Sequence, residues 1–228
     1  MKKPGQRLVI FDVDGTLVDS QDIIVAAMTE AFTAEGLAPP PRAEMLSIVG
    51  LSLPEAFTVL VPDGAPDRIA RLTDGYKAGF LALRQRNGGE ATAPMFAGAR
   101  DLVIDLHARG YVLGVATGKA RRGVDHFLSA HGLEGRFDAI QTADDAPSKP
   151  HPGMVLNCLS AAGVGARDAV IIGDTEFDMA MGRAAGVRRI GVGWGYHDRA
   201  RLMRGGAEAI AGDFAEVEPL IAALWRAG

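Results

Sequence analysis

The sequence has one cysteine, no long hydrophobic run and no basic cluster. Because a single thiol, that of Cys158, cannot form an intramolecular disulfide, we expect the protein to work in a reducing compartment, the cytoplasm. The apolar run behind the basic start is only Leu8–Phe11, too short for a signal-peptide core or a membrane span. The formal net charge of −4 shows no electrostatic signature of nucleic-acid binding. These absences predict a cytoplasmic protein whose partner is a small molecule rather than a nucleic acid or a membrane. We expect the protein to be a monomer or a homodimer.

The chain does have enough apolar content, 48% of 228 residues, to bury one large domain or a domain with an insertion. Its first strong signal is Leu8–Phe11, a run rich in β-branched residues and typical of a strand buried on both faces. The run ends abruptly at two acids and a glycine, Asp12-Val13-Asp14-Gly15. This pattern marks the carboxyl end of a strand, which is where open α/β sheets bind their ligands.

Asp12 and Asp14 are two residues apart, so in extended geometry both carboxylates leave the strand end on the same side. Neighbouring carboxylates repel one another at neutral pH unless a cation joins them or they share a proton. An Asp-Gly pair also marks ordinary turns, but a turn does not need the first aspartate. The pair therefore predicts either a hard divalent metal ion or a shared proton at this strand end.

Helical spacing dominates the chain from about residue 18 to residue 92, and helix-then-strand units repeat from Gly98 onward. This order predicts an α/β fold: a mostly parallel, Rossmann-like, three-layer sheet built from residues 1–17 and 93–228, with an all-helical insertion at 18–92. The predicted strands are Leu8–Phe11, Tyr111–Ala116, Phe137–Gln141, Ala169–Ile172, Arg189–Val192 and Glu208–Ile210. The predicted helices are 23–32, Glu44–Val49, Pro54–Val61, Asp67–Arg86, Ala99–Arg109, Ala120–His131, Gly153–Ala162, one ending at Ala185, and Val217–Trp225.

Polar residues follow several of these strands. Thr117 comes after the second strand, Lys149 after the third, and Asp174 and Asp178 after the fourth. Because parallel strands end at one edge of their sheet, these side chains are expected to meet the two acids of the first strand. Acids with a metal ion, a hydroxyl donor and a lysine are the groups that phosphoryl transfer needs.

In these motifs the chain resembles the haloacid dehalogenase superfamily, in the subfamily whose helical cap follows the first strand, and most closely phosphoglycolate phosphatases and their relatives. The resemblance covers nearly the whole chain and rests on four motifs in the family's order. They are Asp-x-Asp-Gly-Thr at 12–16, Thr117, Lys149 in Ser-Lys-Pro-His-Pro, and Gly-Asp-x-x-x-Asp at 173–178. The resemblance implies a Mg²⁺-dependent phosphatase acting on a small phosphorylated metabolite, such as a phosphoglycolate-like ester or a sugar phosphate.

The resemblance also implies a role for each motif residue. Asp12 is expected to be the nucleophile that forms an aspartyl-phosphate, and Asp14 the general acid for the leaving alcohol and then the base for water. Thr117 and Lys149 are expected to hold the phosphoryl oxygens. The implied Mg²⁺ ligands are Asp12, the backbone carbonyl of Asp14, Asp174, and Asp178 either directly or in support.

Four residues are predicted to contact the substrate: Thr16, Gly50, Gly118 and Lys119. Gly118 departs from the pattern, because relatives often carry Asn there, so a side-chain donor near the phosphate is missing. Lys119 has a second interpretation as a solvated residue in the first turn of the next helix. Further insertion residues that could face the site also fit an ordinary helix surface: Arg42, Leu51, Ser52, Tyr76 and Arg84.

Other functions share parts of this pattern. A hexose-phosphate mutase of the same subfamily would carry every motif, whereas a dehalogenase has no use for Asp14. A phosphonate hydrolase of this kind uses a cap lysine, for which Lys77 is the candidate within the insertion. A phospho-receiver domain lacks an insertion after its first strand, and a pure binding module would show no turnover. The insertion is expected to close over Asp12 as a cap, hinged at Gly15–Asp19 and at 88–94.

Overall fold

The protein forms a six-stranded parallel sheet in a computed structural model that describes residues 6–86 and 93–226. The strand order is β3-β2-β1-β4-β5-β6, so β1 lies inside the sheet. The strands are β1 Leu8–Phe11, β2 Val112–Ala116, β3 Ala139–Gln141, β4 Ala169–Gly173, β5 Arg188–Val192 and β6 Ala209–Ala211. All six predicted strands are present: β1 has the predicted bounds, and bounds of the other strands are shifted by one or two residues.

The position of β1 explains its composition. Leu8 pairs with Val112 of β2 on one side and with Ala169 of β4 on the other, and all four residues of β1 are buried. A strand with neighbours at both edges and helices on both faces needs apolar side chains in both directions. Because β1, β2 and β4 are parallel neighbours, the residues that follow them come together at one edge of the sheet.

Ten helices surround or extend the sheet in the described part of the chain. They are α1 Gln21–Ala34, α2 Arg42–Ser47, α3 Leu53–Leu60, α4 Pro66–Arg86, α5 Ala99–Ala108, α6 Arg121–Ala130, α7 Gly153–Ala162, α8 Glu176–Ala185, α9 Arg199–Gly205 and α10 Phe214–Arg226. None of these helices is long and apolar enough to cross a membrane.

Two apolar layers cover the sheet. Val9 and Phe11 of β1 pack with residues of α5, α6 and α10 on one face, while Leu8 and Ile10 pack with residues of α7 and α8 on the other. This alternation follows from the two-residue period of a strand. The predicted α/β, three-layer arrangement is therefore confirmed.

Helices α1 to α4 form a helical insertion with apolar clusters of its own. Met28 and Met45 belong to one cluster, and Phe32, Phe57 and Leu72 belong to the other. The chain leaves and re-enters the sheet region through two adjacent segments: Val18 bridges to Met95, and the N–H of Asp19 donates to the carbonyl of Pro94 at 2.9 Å. The predicted hinge at 88–94 lies largely outside the described residues, and the domain bounds at 18–92 stay a prediction.

Helix α9 is absent from the sequence-based prediction. It has seven residues, and of its few apolar side chains only Leu202 is fully buried, so its amphipathic pattern is weak. Its ends do carry signals: the Asp198 carboxylate accepts from the N–H of Arg201 at 2.8 Å, and Gly206 follows with a positive φ.

Candidate active site

The site begins where β1 ends, at Asp12. Its carboxylate is buried, and Oδ1 accepts a hydrogen bond from the N–H of Val13 at 2.7 Å. Nζ of Lys149 lies 2.8 Å from Oδ2 of Asp12 and 2.6 Å from Oδ1 of Asp178. Oδ2 of Asp12 thus has this ion pair with Lys149 but no hydrogen bond by geometric criteria among the described residues. A buried carboxylate oxygen of this kind is a ready ligand for a cation.

Burial sets the protonation of these groups. Burial raises the pKa of Asp12 to about 6, Lys149 opposes that shift, and the nearby Asp178 charge adds to it. Burial also raises the pKa of Asp174 well above its usual range, with repulsion from Asp178 and Asp12 adding to the effect. Burial alone would lower the pKa of Lys149, but Asp12 and Asp178 more than reverse this, so the lysine stays an ammonium ion.

Three of these acids form a possible metal site. Asp12, Asp174 and Asp178 each offer one carboxylate oxygen, and the three oxygens lie within 4.8 Å of one another. The position of Asp174 is set by Thr16, whose Oγ1 donates to Oδ1 at 2.9 Å, and by the N–H of Tyr196, which donates to Oδ2 at 2.9 Å. Three buried carboxylates with one neighbouring ammonium ion leave negative charge uncompensated, so the residues fit a hard divalent cation with oxygen ligands.

Asp178 is held by the start of α8. The hydroxyl of Thr175 donates to Oδ2 of Asp178 at 2.6 Å, and the N–H of Thr175 donates to the same oxygen at 3.1 Å. The N–H of Asp178 donates in return to Oγ1 of Thr175 at 3.3 Å, which completes a capping box. The motif Gly-Asp-x-x-x-Asp therefore places one acid at the strand end and the second in the first turn of the helix.

Asp14 has different partners. Nζ of Lys119 lies 2.9 Å from each of its carboxylate oxygens, and the hydroxyl of Ser20 donates to Oδ1 at 2.7 Å. Ser20 in turn lies 2.8 Å from the hydroxyl of Tyr196. The ammonium group of Lys119 also lies over the ring of Phe80, 5.3 Å from its centroid. The two aspartates of the first motif thus sit in separate environments, one buried beside the acid cluster and one at a hydrogen-bonded network next to the insertion.

The insertion contacts this edge of the sheet through the loop after α2. The N–H of Ser52 donates to Oγ of Ser148 at 2.8 Å. A Cβ on Gly118 would lie 2.7 Å from the carbonyl oxygens of both Gly50 and Leu51, closer than real Cβ atoms approach. The loop therefore rests directly on the backbone that follows Thr117.

A second contact holds the carbonyl of Ser47 at the end of α2. Nε2 of His197 lies 2.9 Å from this oxygen, and Nη2 of Arg201 donates to it at 3.2 Å. The N–H of Glu176 donates to Nδ1 of His197 at 3.0 Å, so the histidine proton resides on Nε2 and is donated to Ser47. Burial, followed by the charge of Arg201, lowers the pKa of His197 and keeps the ring neutral.

A cavity of about 730 Å³ lies between the insertion and the sheet edge. Asp12, Asp14 and Thr117 line it from the sheet, and Met28, Leu51 and Phe80 are among the residues that line it from the insertion. The helical insertion therefore lies over the edge where the strands end, and the cavity between them remains partly open to solvent.

The comparisons with known proteins agree with this geometry. The model of the family described as haloacid dehalogenase-like hydrolase matches residues 9–192. The chain belongs to the haloacid dehalogenase-like hydrolase family. Over 212 residues it is 35% identical to "Probable phosphatase IndB" of Dickeya dadantii, and this match covers 92% of this chain and 91% of that protein. It is 33% identical over 216 residues to a phosphoglycolate phosphatase of Rhodospirillum rubrum, and the match covers 92% of this chain and 89% of that protein.

A hydrolase from Pseudomonas syringae has a similar solved structure. Its TM-score is 0.84 at 25% identity, covering 96% of this chain and 99% of that chain. The resemblance to the haloacid dehalogenase family that the motifs suggested is thus confirmed, and the protein is a hydrolase of that family.

The structure brings the predicted site residues of this family member to one edge. Asp12, Asp14, Thr117, Gly118 and Lys119 line the cavity, and so does Gly50. Lys149, Asp174 and Asp178 lie buried behind Asp12. Lys119 is mostly buried, with 16% of its side chain exposed, which differs from the interpretation as a solvated helix residue.

The remaining predicted contact residues differ in where they lie. The hydroxyl of Thr16 is turned to Asp174, so its predicted contact with substrate stays a prediction that this hydrogen bond does not favour. Arg42 pairs with Asp22 at 2.9 Å on the surface, as a surface interpretation requires. Ser52 contacts the core through its backbone, whereas Leu51, Tyr76 and Arg84 line the cavity.

Sequence reasoning missed four residues that shape the site: Ser20, Tyr196, His197 and Arg201. Ser20 had a signal, because a hydroxyl residue at the start of α1 is close in sequence to Asp14. The other three follow β5 and lie about 150 residues or more from their partners in the insertion, Ser20 and Ser47, so no local pattern marks these contacts.

Proposed function

We propose that the protein is a Mg²⁺-dependent phosphatase that hydrolyses a small phosphate monoester, phosphoglycolate-like or a sugar phosphate, through an aspartyl-phosphate on Asp12. The observation that carries this proposal is the buried Asp12 carboxylate, which lies 2.8 Å from Lys149 and within one cluster with Asp174 and Asp178. The names of the two relatives, a phosphatase and a phosphoglycolate phosphatase, support the same reaction class.

The residues of the acid cluster and its neighbours have different roles in this proposal. Mg²⁺ held by Asp12, Asp174 and the Asp14 carbonyl, with Asp178 in support, would neutralise charge on the phosphoryl oxygens. Lys149 remains charged and holds Asp12 in place, and it supplies a second positive group beside the phosphate. Thr117 lines the cavity next to Asp12 and can donate its hydroxyl to a phosphoryl oxygen.

In the first chemical step an Asp12 oxygen attacks phosphorus and the bond to the leaving oxygen breaks. Asp14, in its protonated form, gives its proton to that oxygen, so an alcohol leaves. In the second step Asp14 takes a proton from water, which attacks phosphorus and releases inorganic phosphate and the free Asp12 carboxylate. Ser20 fixes the orientation of the Asp14 carboxylate through its 2.7 Å hydrogen bond.

The test is a panel of phosphate esters assayed for inorganic phosphate with Mg²⁺ and with excess chelator. Hydrolysis is expected with Mg²⁺, loss of activity with chelator, and recovery when Mg²⁺ is restored. Full activity in excess chelator would contradict the metal assignment. A hexose-phosphate mutase would instead return an isomerised sugar phosphate with little free phosphate, and no reaction with any ester would leave only a binding or receiver role.

The cytoplasmic location stays part of this proposal. Its support is the single cysteine, Cys158, whose thiol is buried and donates to the carbonyl of Val115. Burial raises the pKa of that thiol to about 12, so Cys158 packs the core and takes no part in catalysis.

A further inference from the structure

The insertion side of the cavity is apolar where it is buried. Ile24 and Met28 reach it from α1, Val49 and Leu51 from the loop after α2, and Phe80 from α4. Ile24, Met28 and Val49 are each less than a tenth exposed. The apolar side chains of this wall offer no donor or acceptor to a hydrated leaving group, and Tyr76 adds one hydroxyl on the same side of the cavity.

The charged groups of the cavity are exposed or already paired. Lys77 is 59% exposed at its side chain and lies 4.0 Å from Asp74, and Arg122 is exposed on α6. Arg84 and His126 reach the same cavity and make interactions of their own. The one lysine at the inner end, Lys119, contacts both oxygens of Asp14 at 2.9 Å. A carboxylate or second phosphate on the leaving group would therefore have to compete with Asp14 for this lysine.

The cavity is also larger than a small polar leaving group needs. About 730 Å³ lies in the range that holds ligands of drug size, roughly 300–1,000 Å³. A glycolate or a second phosphate fills a small part of this space and leaves the apolar wall in water. A leaving group with an apolar body would fill it and remove that wall from water.

On the basis of the proposed phosphatase function, we propose that the substrate is a phosphate monoester whose leaving alcohol carries an apolar, ring-sized body. That body packs against Phe80, Leu51 and the α1 side chains while the phosphate reaches Asp12. An ester of this kind replaces the phosphoglycolate-like and sugar-phosphate esters named above as the expected substrate. Glycolate, pyrophosphate and open polar sugars are poorer matches, because they place hydrated groups against an apolar surface.

The test uses alkyl phosphates that share the same charge and similar leaving-group basicity: ethyl, butyl and 2-phenylethyl phosphate. We expect kcat/KM with Mg²⁺ to rise by roughly fourfold per added methylene, and therefore by roughly 15-fold from ethyl to butyl phosphate, which differ by two methylenes. The kcat/KM for 2-phenylethyl phosphate should exceed the values for 2-phosphoglycolate, pyrophosphate and glucose 6-phosphate.

Two variants locate the effect on the insertion wall. Phe80→Ser removes a partly buried wall residue, and Leu81→Ser changes a residue that lines the cavity yet is 38% exposed, so the fold should tolerate it. Both should reduce the ratio of kcat/KM for 2-phenylethyl over ethyl phosphate, several-fold in Phe80→Ser. Leu156→Ser is the matched control, because Leu156 is 46% exposed on α7 and is not part of the cavity lining.

The outcomes separate this inference from the proposed function. The inference would be overturned if kcat/KM did not change along the alkyl series. It would also be overturned if phosphoglycolate, pyrophosphate or glucose 6-phosphate had a higher kcat/KM than 2-phenylethyl phosphate. The proposed phosphatase function would stand in both cases. An unchanged ratio in both wall variants would also overturn the inference. Failure to hydrolyse any ester with Mg²⁺ would overturn the proposed function, and this inference with it.

Discussion

Gly118 and Gly50 meet backbone to backbone across the boundary between the sheet edge and the helical insertion. A Cβ on Gly118 would lie 2.7 Å from the carbonyl oxygen of Gly50, and the same distance from that of Leu51. The family resemblance suggested that Gly118 leaves the site without a phosphate donor. The structure adds a physical reason for glycine: in the closed arrangement there is no room for any side chain.

Gly118→Ala is expected to hold the loop away from the sheet edge by forcing the two carbonyls back. Because a shift of about 1 Å in an active site can cost roughly a hundredfold, we expect kcat/KM to fall by about 10- to 100-fold for every phosphate ester. The requirement for Mg²⁺ should persist, since Asp12, Asp174 and Asp178 are not touched. Steady-state kinetics on two or more esters measure this.

Gly165→Ala is the control for that variant. A Cβ on Gly165 would meet nothing within 4 Å, and its φ of −79° suits any residue. Activity of this control should equal that of the original chain. Unchanged activity in Gly118→Ala would show that the contact with the insertion loop is dispensable.

The second prediction separates the two aspartates of the first motif. Asp12→Asn should abolish turnover and any acid-labile phosphoenzyme, because the nucleophile is lost. Asp14→Asn should still be phosphorylated by an aryl phosphate, whose leaving group needs little help from an acid, but should turn over slowly because water is not activated. Intact-protein mass after acid quench detects the phosphoenzyme. Hydrolysis of an alkyl phosphate at the original rate by either variant would contradict these roles.

The third prediction concerns protons and Mg²⁺ at the acid cluster. The pKa values of Asp12 and Asp174 in the folded protein lie above the ordinary aspartate value of 3.8, at about 6 for Asp12. The folded protein therefore holds more protons than the unfolded chain between these pH values, and these groups make the metal-free fold less stable as pH rises through that window. Mg²⁺ binds the deprotonated carboxylates and so should stabilise the fold more at higher pH.

The measurement is the increase in Tm on adding Mg²⁺ at about pH 5 and about pH 7.5. We expect a clear increase at the higher pH and a smaller one at the lower pH, where protons compete for the same oxygens. Asp174→Asn should lose most of the Mg²⁺-dependent increase in Tm at both pH values. Equal increases at the two pH values in the original chain would show that these carboxylates do not bind the ion.

Much of this architecture could be predicted from local patterns. The β1 run and the two aspartates behind it lie within seven consecutive residues, and parallel topology alone requires Thr117 and Asp174 to join them. The family resemblance added the roles of these residues. Strand ends were therefore predictable, because short-range composition and one topological rule determine them.

Contacts between the insertion and the sheet edge could not be predicted in the same way. The pairing of Ser148 with Ser52 joins residues 96 positions apart, and that of His197 with Ser47 joins residues 150 apart. Helix α9, which carries Arg201, has too few apolar residues to show a periodic pattern. Such contacts depend on how two separately packed units meet, which periodicity within either unit does not encode.

The last prediction concerns the carbonyl of Ser47, which receives hydrogen bonds from His197 at 2.9 Å and from Arg201 at 3.2 Å. Both donors belong to the segment after β5, and Arg201 is itself fixed by Glu176 at 2.7 Å. A single carbonyl of the insertion is thus held by two donors from the core. Arg201→Met should weaken closure and lower kcat/KM about three- to tenfold, as expected for loss of one hydrogen bond with a net contribution of about 0.5–1.5 kcal/mol.

Hydrogen exchange identifies the cause of that loss. Backbone amides of residues 42–53 should exchange faster in Arg201→Met, while those of β1 and β4 stay protected, because the loop opens without unfolding the sheet. Arg199→Met changes an exposed arginine on the same helix and should leave both exchange and kcat/KM unaltered. If Arg201→Met lowers activity with no change in exchange at 42–53, the arginine acts on the acid cluster through Glu176, and the Ser47 contact does not control closure.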